Sequence, residues 1–224
     1  MQTAAVGYRV IDAPVDVRAA FVRKVFGIFF SSVLVSVAAG AYVAGQANLA
    51  IAVLNNFMVL LFVGLGVGIG MVFLSRVQGV NYAFLYLYSA IQGAILGPVL
   101  VLVGAHAPGV PLQAAVLTTV VFGGLAGYAL VSRTDFNFLG GILTVGLLGL
   151  LVVMVVLFFF RLPFLSSLYT YAGVLIFSGF VLYDTSRIQH RLGPDDAVAG
   201  AVSLYLDALN LFWFILRLLS NRRN

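Results

Sequence analysis

Residues 165–219 read LSSLYTYAGVLIFSGFVLYDTSRIQHRLGPDDAVAGAVSLYLDALNLFWFILRLL. Two apolar arms, 165–183 and 197–219, flank a polar turn at Gly193-Pro194-Asp195-Asp196. Each arm is about the 20 residues that a helix needs to cross the hydrocarbon core of a bilayer. Working outward, five more runs of this kind precede them: 26–44, 51–74, 83–104, 114–132 and 138–160. The breaks fall at Gly45-Gln46, Ser75 to Asn81, His106 to Gly109, Ser132 to Asp135 and Arg161-Leu162-Pro163. The connections are short, so successive helices are expected to run antiparallel. No stretch shows the ten-residue alternation of a membrane β-barrel strand.

Composition agrees. The chain has 224 residues, 62% of them apolar and 8% charged, with a mean hydropathy of +1.12. Soluble domains carry about 45–50% apolar and about 25% charged residues. A water-soluble enzyme, a disordered chain and a nucleic-acid binder are thereby excluded. There is no cysteine, so neither a disulfide nor a thiolate metal site can form. The expected fold class is all-α, a polytopic membrane protein of seven transmembrane helices. A cytoplasmic arm is expected over 1–25, one membrane domain over 26–220 and a short basic tail over 221–224. The first segment begins too late and runs too long for a cleavable signal peptide.

The formal charge of +5 comes from 12 Lys and Arg against 7 Asp, and it speaks to topology. With the N-terminus in the cytoplasm, Arg9, Arg18, Arg23, Lys24, Arg76, Arg133, Arg187 and Arg191 all lie inside. Arg161, Arg217, Arg222 and Arg223 would lie outside. The first six segments agree on this orientation. The basic tail argues against a seventh full crossing and leaves open a re-entrant last segment, but seven crossings are retained. Glycines at 64, 66, 68 and 70 form two overlapping GxxxG pairs, and Gly123 with Gly127 and Ser36 with Gly40 share the spacing. Such spacing lets helix backbones approach closely in lipid. Packing within the chain is the ordinary use of it, a homodimer face or a flexing pore helix the other.

Five aspartates (Asp12, Asp16, Asp135, Asp195, Asp196) fall in the arm or in loops, which leaves Asp184 and Asp207 in apolar segments. A carboxylate at mid-bilayer costs at least ~2.5 kcal/mol, so it needs a partner or a purpose. Asp184 lies 11 residues before Asp195 and Asp207 lies 12 after it. If the two segments form a hairpin, equal arms put both carboxyls at similar depth on facing helices. Ser203, Asp207, Asn210 and Arg217 are spaced by 4, 3 and 7 residues, one face of a helix that is otherwise Leu, Phe, Trp and Ile. Two neighbouring carboxylates share a proton and titrate in two separated steps. Arg187 and Arg217 are candidates to favour the charged form instead. A deprotonated pair is a hard-oxygen site suited to Ca²⁺. The alternative is a structural pair that only ties two helices together.

Other polar groups carry less. His190 beside Arg191 suits a solvated loop, with pH sensing as the other use, and His106 stands before a Pro-Gly turn. Gln92, Asn55 and Asn56 suit interhelical hydrogen bonds. No segment holds a lysine, which excludes a retinal Schiff base, and there is no phosphate loop, HExxH or GxSxG.

Leu182-Tyr183-Asp184-Thr185, the run Ser203-Leu204-Tyr205-Leu206-Asp207 with Asn210-Leu211-Phe212, and QAAVLTTVVFGGLAGYALVSRTDFNFLGG (113–141) resemble the Bax inhibitor-1 family, from about residue 18 onward. The resemblance implies a bacterial member in the cell (inner) membrane, with six helices around the last. It further implies a pH-sensitive calcium leak latched by paired aspartates, which match Asp184 and Asp207. The ions concerned would be Ca²⁺ and protons, with no cofactor required and no enzymatic activity. In a bacterial relative an arginine on the second helix bonds the first aspartate; here only Arg76 could serve. That relative's acidic residue on the same helix has no counterpart in 51–74. Some bacterial members resemble modulators of a membrane protease, which implies a protein partner. An accessory membrane protein is therefore one alternative function, and an intramembrane aspartyl protease another. Tyr183-Asp184 fits the first half of that protease motif, but residues 204–208 read LYLDA where GxGD is required, and no Pro-Ala-Leu follows.

Overall fold

A computed structural model describes residues 9–75, 77–132 and 134–221. Among these residues the regular structure is entirely helical, in eight α-helices: α1 (Val15–Ala44), α2 (Ala47–Asn55), α3 (Phe57–Leu74), α4 (Asn81–His106), α5 (Val110–Val131), α6 (Leu139–Phe159), α7 (Pro163–His190) and α8 (Ala197–Asn221). All but α2 are long and apolar enough to cross a membrane. The protein is thus an all-α membrane protein with seven candidate crossings.

Two boundaries differ from the sequence expectation. The run 51–74 is not one helix: α2 and α3 meet at Asn56, whose side-chain amide donates to the Ala52 carbonyl at 2.9 Å. Asparagine amides compete with the backbone for such bonds and so mark a break. The 18 residues of α3 still span about 27 Å at the helical rise, close to the hydrocarbon thickness. At the other boundary, α1 begins at Val15, so residues 15–25 of the expected arm continue the helix of the first crossing.

The chain divides into two compact units. The first comprises Met1–Val101 with Ile188–Tyr205. Its core is a close crossing of α1 and α4. A Cβ at Gly93 would lie 2.6 Å from Ser36 Cα, and one at Gly97 would lie 2.7 Å from Gly40 Cα. Only glycine permits backbones to meet there. Hydroxyl groups line the same crossing. Ser36 Oγ donates to the Ser89 carbonyl at 2.8 Å and lies 2.7 Å from the Tyr205 hydroxyl, while Ser31 Oγ lies 2.8 Å from the Tyr86 hydroxyl. Gly64 and Gly68 of α3 lie against Gln92 and Tyr88, whereas Gly66 and Gly70 face open space. One of the two overlapping glycine pairs is therefore a packing face and the other is not.

The second unit comprises Leu102–Arg187 with Leu206–Asn224. In α5 the buried positions 110, 114, 118, 122 and 126 recur every four residues, one face of a helix. Phe214 of α8 lies over Gly173 of α7 and stacks on Phe177 at 5.7 Å. Large apolar side chains such as Ile142, Val145 and Val152 on α6 are exposed, as a lipid-facing surface requires. The most enclosed crossing is the last, with 61% of its apolar window buried against 28% or less in the others.

Candidate functional site

The candidate site lies in the second unit, where one turn of α7 faces one turn of α8. Asp184 is 7% exposed and Asp207 4%. The apolar residues one turn away along each helix, Val181 and Ile188 on α7 and Leu204 and Leu211 on α8, are themselves fully buried. Each of these stands three or four residues from its aspartate, directly above or below it on the helix.

The Asp207 carboxyl is within hydrogen-bonding range of the Asp184 carboxyl, and the Arg187 guanidinium is near enough to act on it electrostatically. Arg187 stands one turn after Asp184 and donates from Nη1 to its Oδ1 at 2.9 Å, with 28% of the arginine side chain exposed. Asp207 Oδ2 is buried and has no hydrogen-bond partner. A buried carboxyl oxygen left without a donor is costly, so it calls for a proton or a cation. The pair therefore holds two carboxyls and one guanidinium, with one oxygen still unsatisfied.

The neighbouring positions on α7 bind the α5–α6 connection. The Phe136 amide donates to Ser186 Oγ at 2.9 Å, and Asp135 Oδ1 accepts from the Asn137 amide at 2.9 Å. Ser186 and Thr185 are fully buried, and Thr185 Oγ1 is a second buried oxygen with no hydrogen-bond partner.

The other sequence candidates go elsewhere. Asn210 donates to the Leu206 carbonyl at 2.8 Å, a bond within its own helix. Arg217 donates to Ser166 Oγ at 2.8 Å and covers the Tyr169 ring at 5.1 Å. Ten residues beyond Asp207, it lies about 15 Å along the helix axis and is no partner of the pair. Arg76 lies outside the described residues. Arg187 is the sequence candidate found at the carboxyls, and its i, i+3 spacing from Asp184 is legible in the sequence. The Ser36–Tyr205 contact of the first unit has no signal in the sequence; a serine and a tyrosine 169 positions apart leave no pattern to find.

No cluster of three or more His, Cys, Asp or Glu side chains occurs among the described residues. Ca²⁺ takes six to eight oxygen ligands, more than two carboxyls supply.

Comparison with known proteins points the same way as the motifs. The family described as Inhibitor of apoptosis-promoting Bax1 matches residues 18–224. The chain is 32% identical to Bax inhibitor 1 of Schizosaccharomyces pombe over 219 residues, which cover 96% of this chain and 81% of that protein. It is 31% identical to Protein lifeguard 4 of Mus musculus, with 95% and 90% covered. An uncharacterized protein of Campylobacter jejuni is 30% identical, with 89% and 87% covered.

Proposed function

The chain belongs to the Bax inhibitor-1 family, and from that premise we propose that it is a pH-sensitive cation leak, passing Ca²⁺, gated by Asp184 and Asp207. The observation that carries this is a pair of buried carboxyls facing each other, with Asp207 Oδ2 unpartnered. At low pH one shared proton joins α7 to α8 through a carboxyl–carboxylate hydrogen bond. At high pH two bare carboxylates repel. At ~4 Å and an effective dielectric of 20 that repulsion is about 4 kcal/mol, and the Arg187 guanidinium offsets part of it. A few kcal/mol is the usual separation between two conformations of a switching protein. A cation entering between the carboxylates relieves the same repulsion, so Ca²⁺ binds better as pH rises. We place the protein in the cell membrane with its N-terminus in the cytoplasm, on the distribution of Lys and Arg between loops.

The test is ⁴⁵Ca²⁺ flux into vesicles holding the purified protein alone, from pH 5 to 8. Asp207→Asn is expected to flatten the pH profile, whereas Asp195→Asn at the exposed turn leaves it intact. Wild-type pH profiles in both Asp184→Asn and Asp207→Asn would make the pair structural and sink the mechanism. Absence of flux in the wild type favours the accessory alternative, action on a membrane protease or another complex. An aspartyl protease suits the site less well, because the carboxyls that would hold the attacking water are buried and one oxygen of Asp184 is engaged by Arg187.

A further inference from the structure

The far end of the α7–α8 pair carries a second polar cluster that the gate does not use. Arg217 is half-buried, four residues before the end of α8, and its partners are the neutral hydroxyl of Ser166 and the ring of Tyr169. No carboxylate among the described residues pairs with it. An arginine withdrawn from water and left without an anion is costly, and its planar fork of donors matches a phosphate group. A second cation, Arg161, stands exposed two residues before α7 begins.

Tyr169 also forms one wall of an apolar cavity of about 230 Å³ in the same unit. Gly146, Gly149 and Val153 line it from α6, and Leu165, Tyr169 and Ile176 from α7. Gly149 leaves the room, since no atom outside the helix lies within 4 Å of where its Cβ would be, whereas Ile176 packs against Gly146. A guanidinium thus covers a ring that also borders a groove with almost no polar lining. A phospholipid is amphipathic in just this way.

We infer that the second unit holds a specific site for an anionic phospholipid. The phosphodiester rests on Arg217 and Ser166, and one acyl chain lies along the α6–α7 groove past Tyr169. A single phosphodiester charge balances Arg217, and Arg161 at the same helix end disfavours a cationic choline headgroup. The site is independent of the proposed leak and stands or falls without it.

The experiment is native mass spectrometry of the full chain in detergent, titrated with dioleoyl phosphatidylglycerol, dioleoyl phosphatidylcholine or chain-free glycerol phosphate. The wild type is expected to retain one phosphatidylglycerol. Phosphatidylcholine should bind at least tenfold more weakly, and glycerol phosphate should neither bind nor displace the lipid. Arg217→Gln should weaken retention about tenfold by removing the phosphate contact. Gly149→Leu should do the same by filling the groove with Arg217 untouched, which keeps the test decisive if Arg217→Gln fails to fold. Asp207→Asn, at the other site, should retain lipid like the wild type. Equal retention of both lipids, wild-type retention by Gly149→Leu, or displacement by glycerol phosphate would overturn the assignment.

Discussion

Gly93→Ala puts one methyl group into the α1–α4 crossing. Its Cβ would lie 2.6 Å from both the carbonyl carbon and the Cα of Ser36. These are backbone atoms inside a helix, so no rotamer change relieves the overlap and the two helices must separate. Overpacking of this kind costs about 1–3 kcal/mol. Separation also stretches the Ser36–Ser89 and Ser36–Tyr205 hydrogen bonds, now 2.8 and 2.7 Å, each contributing about 1 kcal/mol. Alanine's better helix propensity returns at most about 1 kcal/mol. The net loss is about 2–4 kcal/mol, or a fall of about 5–15 °C in the melting temperature for a chain of this length. The control is Gly66→Ala, where no atom outside the helix lies within 4 Å of the added Cβ. There the helix gains propensity at no packing cost, so stability should hold or rise slightly. Thermal unfolding in one detergent, followed by circular dichroism, compares the two. Equal melting temperatures for the two variants would refute the crossing.

Tyr205→Phe and Ser36→Ala should each cost about 1–2 kcal/mol, and the double variant less than their sum, because both remove the same part-buried bond; an additive double variant, in the same unfolding assay, would deny the contact. Arg187→Gln removes the guanidinium that holds Asp184 and that offsets the repulsion between the two carboxylates, so it should cost about 1–2 kcal/mol at pH 7, the lower end being favoured because the arginine is 28% exposed, and less at pH 5; a loss of stability independent of pH would mean that the arginine does not act on the pair. Reporters fused after Ser132 and after Leu162 should lie on opposite sides of the membrane, inside and outside respectively; finding both on one side would remove the six-crossing core of the topology.

Sequence alone was enough for the class of this protein and for singling out two ionisable groups within its apolar segments. Membrane crossings are legible because the bilayer imposes a length and a polarity on each segment, and both are local properties of the chain. Asp184 and Asp207 stood out for the same reason, since an ionisable group in such a segment is rare and expensive. Their matched distance from the turn at Asp195 followed from counting residues. Partner choice was another matter. Arg187, Arg217 and Arg76 were equal candidates in the sequence; the folded chain brings Arg187 to Asp184 and carries Arg217 to Ser166 and Tyr169, because a side chain's partner depends on which neighbour its helix face meets. The glycines divide in the same way. Spacing marked Ser36 with Gly40 and the run from Gly64 to Gly70 alike, yet only tertiary packing decides that Gly40, Gly93 and Gly97 meet backbone while Gly66 and Gly70 meet nothing. A helix repeats every 3.6 residues whatever lies beside it, so its sequence records which faces differ but not what each face touches.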